Sequence, residues 1–185
     1  AAASIESNHI EKTFSEILTA GIAITAFSLL LYAMAFNMRA RVARTFALIL
    51  ICTVTVYTAE AIGSIESNPA GLEFWLRLQW VGIVFLPATY MQFSDALLAT
   101  TGKPSRGRRS WVVRLVSLGS AIFLMGLPFS YLVGPVVYSN PPLPHLQPTS
   151  FTDLFILFYV GVLIVSWINF VRAFRRTTTP PSRRP

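Results

Sequence analysis

Five long apolar runs decide what this chain can become. They cover residues 17–36, 45–62, 74–99, 111–133 and 151–174. A helix needs about 20 apolar residues to cross the hydrocarbon core of a bilayer. Only 12% of the residues are charged, about half the share usual in a soluble domain. The sequence therefore predicts an all-α fold, a polytopic membrane helical bundle of five transmembrane helices forming a single domain over residues 1–176. Residues 177–185, rich in Thr, Pro and Arg, read as a cytoplasmic linker or tail. The first run has neither a basic flank before it nor a small-residue cleavage site after it, so it reads as a span rather than a signal peptide.

Charge sets the expected direction of insertion. The chain carries 15 lysines and arginines against 8 acids. Arg39, Arg41 and Arg44 follow the first run. Lys103, Arg106, Arg108, Arg109 and Arg114 follow the third. Arg172, Arg175, Arg176, Arg183 and Arg184 follow the fifth. Only Lys12 and Arg77 fall on the other side, among Glu6, Glu11, Glu16, Glu60, Glu66, Glu73 and Asp153. Basic residues stay on the cytoplasmic side during insertion, which predicts the N-terminus outside and the C-terminus inside. The arginines then act as topology anchors that touch membrane lipids, and no nucleic acid is expected as a partner.

Ionisable residues at membrane depth are costly and mark candidate sites. Glu60 lies near the end of span two, Arg77 and Gln79 near the start of span three. Consecutive antiparallel helices bring them to similar depth, so a Glu60–Arg77 ion pair is geometrically easy. The three are candidate ligand-binding residues, with a helix–helix clamp or snorkelling as the structural alternative. Asp95 and Gln92 lie toward the other end of span three, where Asp95 is expected to pair with an arginine such as Arg44 or Arg114. Asn169 is expected to bond between helices. Pro87 and Pro128 are expected to kink spans three and four. Pro87, Asp95 and Pro128 are therefore the candidate packing or switch positions.

Prolines 135, 141, 142, 144 and 148 crowd residues 134–150 and favour an extended strap, read as a cover over the bundle, a docking segment or an inert connector. Ser4-Ile5-Glu6-Ser7-Asn8 recurs as Ser64-Ile65-Glu66-Ser67-Asn68 without matching flanks. Cys52, the single cysteine, sits inside an apolar run and reads as a packing residue. There is no phosphate-binding glycine loop, metal-ligand spacing or membrane-embedded histidine. An enzyme is not expected, no metal or cofactor is predicted, and the aromatic face of Phe155, Phe158, Tyr159 and Trp167 suits ordinary packing or a bound lipid, pigment or quinone.

One stretch resembles a known family. Phe74-Trp75-Leu76-Arg77-Leu78-Gln79-Trp80-Val81-Gly82-Ile83, then Pro87, then Gln92-Phe93, resembles helix three of the N-terminal seven-helix membrane region of bacterial histidine kinases. Residues 39–47 with Glu60, and the exit Thr100-Thr101-Gly102, are similar to the same family. The family has seven helices followed by cytoplasmic signalling domains; this sequence holds five spans and neither a phosphoacceptor-histidine nor an ATP-binding region. The resemblance implies a sensory, signal-input domain in the bacterial cytoplasmic (inner) membrane, with a cytoplasmic effector as partner. The alternative is a non-catalytic accessory subunit of a larger membrane complex of electron-transfer or photosynthetic type, partnered by other membrane subunits.

Overall fold

A computed structural model of the chain describes residues 2–36, 38–101, 108–137 and 145–177. It is mostly helical. The order is α1 (Ala2–Phe36), α2 (Arg41–Ile65), α3 (Pro69–Thr100), α4 (Arg108–Met125), strands β1 (Val133–Val137) and β2 (His145–Pro148), and α5 (Ser150–Thr177). Four of the five apolar runs are helical throughout and the run 111–133 is helical to Met125, because long apolar sequence leaves the backbone no other way to satisfy its own hydrogen bonds in a membrane. Segments Thr13–Ala35, Arg41–Ile65, Pro69–Thr100 and Ser150–Arg176 are long and apolar enough to cross a bilayer, and α4 adds the shorter apolar segment Ser110–Met125. Large apolar side chains such as Phe27 and Leu31 on α1, and Leu157, Ile164 and Trp167 on α5, are exposed, as the surface of an integral membrane protein requires.

α3 is the centre of the bundle. More than half of its apolar window is buried (56%), against 22% for α1 and α5. It packs on α2, α4 and α5, whereas α1 packs on α2. The ends are defined by what they carry. At the arginine end lie the start of α2, the end of α3 and the end of α5. The hairpin end carries the start of α3, the end of α4, the strands and the start of α5.

The main core lies at the hairpin end, where Val84, Phe123, Leu127, Leu132, Val133, Leu146 and Phe155 pack together. A smaller cluster of Ala26, Leu30, Ala47 and Leu50 joins α1 to α2. Asn68 caps α3, its Oδ1 accepting from the Ala70 amide at 3.2 Å, with Pro69 in the first helical position. Thr149 and Thr152 exchange bonds at the start of α5: the Thr149 amide donates to Thr152 Oγ1 at 2.9 Å, and the Thr152 amide to Thr149 Oγ1 at 3.3 Å. Both hydroxyls also donate to the Leu132 carbonyl, so the cap of α5 fastens the chain that leaves α4.

One expectation is corrected here, and a second gains detail. Span four was expected over 111–133 with a kink at Pro128, yet α4 stops at Met125 and Pro128 is exposed in the turn beyond it. Proline has no amide to donate to Leu124; instead the Leu127 amide takes that carbonyl at 3.1 Å in a tighter turn. Ser130, at φ 56°, then turns the chain. The proline-rich strap is in part a β-hairpin: β1 pairs antiparallel with β2 through Val133–Pro148, Val136–Leu146 and Val137–His145. Pro135 sits where the register shifts, the place a sheet tolerates a missing donor. The expectations for residues 102–107, for Tyr138, Pro141, Pro142 and Pro144, and for the tail 178–185 lie outside the described residues.

Candidate functional site

The polar residues singled out by sequence separate into two groups, one at each end of α3. At the hairpin end Arg77 is fully occupied with neighbours other than Glu60. Its Nε donates to Glu73 Oε1 at 2.9 Å, Nη1 to the Leu127 carbonyl at 2.7 Å and Nη2 to Ser130 Oγ at 2.9 Å. The Arg77–Glu73 ion pair closes at 2.8 Å, one turn apart on α3. Glu60 instead accepts from Gln79 Nε2 at 3.4 Å.

The expected Glu60–Arg77 pair is therefore not formed, and helix geometry gives the reason. Positions two apart on a helix lie on nearly opposite sides. Gln79 faces α2 and its Glu60; Arg77 must then face the turn after α4. The structure brings Glu60 and Gln79 together and leaves Arg77 outside that pair. Sequence reasoning missed Ser130 and the Leu127 carbonyl, because nothing in the sequence announces which turn will stand beside an arginine 50 positions away.

At the arginine end Asp95 is buried to within 1% and accepts from Arg41 Nη2 at 3.1 Å, while the Arg41 side chain is 54% exposed. An arginine partner such as Arg44 or Arg114 was expected; Arg41, the first residue of α2 in the same basic group as Arg44, is the arginine seen on Asp95. Antiparallel packing places the start of α2 beside the last turns of α3. Arg114 is exposed on α4. Beside Asp95, Asn169 Nδ2 donates to Ser94 Oγ at 3.3 Å, as the interhelical reading of Asn169 requires, and Ser166 Oγ reaches Met91 Sδ at 3.7 Å. Ser94 and Ser166 were not singled out beforehand; only their burial between α3 and α5 marks them.

Pro87 is buried inside α3, between the two groups. It has no amide for the Ile83 carbonyl, yet α3 runs on unbroken to Thr100. The aromatic face is split. Phe155 and Phe158 contact Phe123, and Phe155 also contacts Trp80 and Tyr159. Trp167 is 69% exposed. Among the described residues no group of three or more His, Cys, Asp and Glu is placed to hold a metal.

Glycines set how closely the helices approach. A Cβ on Gly82 would lie 2.7 Å from Val56 Cγ2 and 2.9 Å from the Cys52 carbonyl, so α3 rests directly on the backbone of α2. α4 and α5 touch through Gly119 and Phe158 but leave a crevice of about 600 Å³ along much of their length. Neither a protein-family model nor a curated protein nor a solved structure matches this chain.

Proposed function

We propose that the chain is a membrane-embedded signal-input domain of the histidine-kinase seven-helix type. Its N-terminus lies outside and its C-terminus inside a bacterial cytoplasmic membrane, and it works through a cytoplasmic effector. The observation that carries this reading is the placement of polar bonds along α3. Arg77 ties one end of α3 to the turn after α4, and Asp95 and Ser94 tie the other end to α2 and α5. A helix held at both ends passes a small displacement from one membrane face to the other, because packed interfaces switch between arrangements rather than deform smoothly. The helix-three motif around Arg77 and Pro87 supports the same reading.

The test is a distance measurement between spin labels at Met38 and Phe174, both exposed at the arginine end, in membrane vesicles with Cys52→Ala as background. Arg77→Gln is expected to add a second distance population at that far end. A single distribution identical to that of the unsubstituted protein would overturn the signal-input reading.

One observation favours the accessory-subunit reading instead. Arg77 spends Nε, Nη1 and Nη2 on partners within the chain, which is how a fixed clamp is built. Gentle extraction and intact-complex mass measurement would support that reading by finding a constant stoichiometry with other membrane subunits.

A further inference from the structure

The crevice between α4 and α5 is a slot with an apolar lining and a cation on its line. Val112, Val116 and Phe123 form the α4 wall, Leu154, Phe158 and Val165 lie along α5, and Met91 of α3 lies at the floor. From Leu154 to Val165 the slot runs about 16 Å along the helix axis at 1.5 Å per residue, roughly half of a 30 Å hydrocarbon core. Gly161 sits midway, and a Cβ there would meet nothing within 4 Å.

Positions 158, 161, 165 and 172 are separated by three, four and seven residues, so they share one stripe of α5. Arg172 therefore stands on the line of the slot, about 10 Å beyond Val165. Arg172 is exposed and makes no hydrogen bond or ion pair among the described residues. Arg175 and Arg176 follow it in the last turn of α5, adding positive potential at the same membrane face.

We propose that this slot holds one acyl chain of an anionic phospholipid and that Arg172 takes the phosphate. Charge complementarity argues for this occupant: the lining is apolar, as an acyl chain requires, and the guanidinium of Arg172 on the same line suits a phosphate. In a bilayer the lining gains nothing from leaving water, since lipid tails are as apolar as leucine, so close packing and the charged head contact must retain the lipid.

The experiment is native mass spectrometry of the full chain extracted from vesicles of equal phosphatidylglycerol and phosphatidylcholine. The unsubstituted protein is expected to keep one phosphatidylglycerol per chain. Gly161→Leu, which fills the slot, should lower that retention about tenfold, and Arg172→Gln should remove the preference for the anionic head. Val160→Leu, on an exposed position outside the lining, should change nothing. Val165→Trp replaces Gly161→Leu should the latter fail to fold. Equal retention of the two lipids by the unsubstituted protein would overturn the proposal. So would unchanged retention after the slot is filled, or cross-linking of slot residues to a second copy of the chain.

Discussion

The seam between α2 and α3 and the crevice between α4 and α5 are both lined by glycine, and they behave oppositely. At the seam, Gly82 lets α3 settle against the Cys52 carbonyl, and the start of α2 is pinned by Arg41 to the buried Asp95. At the crevice, Gly161 lines open space, and α4 meets α5 chiefly through aromatic side chains. Glycine by itself says nothing about packing. It permits close approach, and the neighbouring helix decides whether the approach happens. The seam is built to hold one geometry; the crevice is built with room in it.

The sharpest way to break the seam is Gly82→Val. Neither the Cys52 carbonyl nor the Val56 amide, the latter 3.3 Å from a Cβ at position 82, can move without α2 moving. The expected loss is about 3 kcal/mol, the upper end of ordinary overpacking, read by unfolding in mixed micelles. An unshifted transition would mean that α3 does not rest on α2 at Gly82. Next comes Arg41→Gln, which weakens the compensation of a buried carboxylate. Half-exposure of the arginine places the effect between a surface pair and a buried one, at about 2 kcal/mol. A double-mutant cycle with Asp95→Asn should recover about 1 kcal/mol of coupling; additive effects would separate the two residues.

The crevice side should respond less. Gly119→Ala brings a Cβ to 3.0 Å from the Phe158 ring, but that ring borders open space and can turn, so the cost should stay near 1 kcal/mol. Pro128→Ala, exposed beyond the end of α4, should fall within about 0.5 kcal/mol. A larger loss would restore Pro128 to a structural role. Gly161→Ala should be neutral or slightly stabilising, since alanine is the better helix former by up to about 1 kcal/mol. Destabilisation there would show that the crevice closes.

Much of the frame was legible in the residues. The apolar runs became helices because each satisfies its backbone alone, and Asn169 bonded across to α3 because a buried amide must find a partner. The site was legible in half. Glu60 and Gln79 met, but Arg77 could not join them, since two residues on a helix turn a side chain away. Pro128 was visible as a helix breaker, yet whether it bends a helix or ends it depends on which carbonyl finds another donor. Here Leu127 supplied that donor.

The repeated pentapeptide draws the line between the two kinds of information. Ser4-Ile5-Glu6-Ser7-Asn8 lies wholly within α1, whereas Ser64-Ile65-Glu66-Ser67-Asn68 ends α2 and caps α3. Five identical residues carry identical local preferences, so those preferences cannot have chosen between the two outcomes. Hydrophobic length and charge, summed over runs of some 20 residues, determined that there would be apolar helices and where the arginines would gather. Which helix became the centre, which carboxylate met which arginine and where a slot stayed open were decided by tertiary packing, because each depends on atoms that only the folded chain brings within reach.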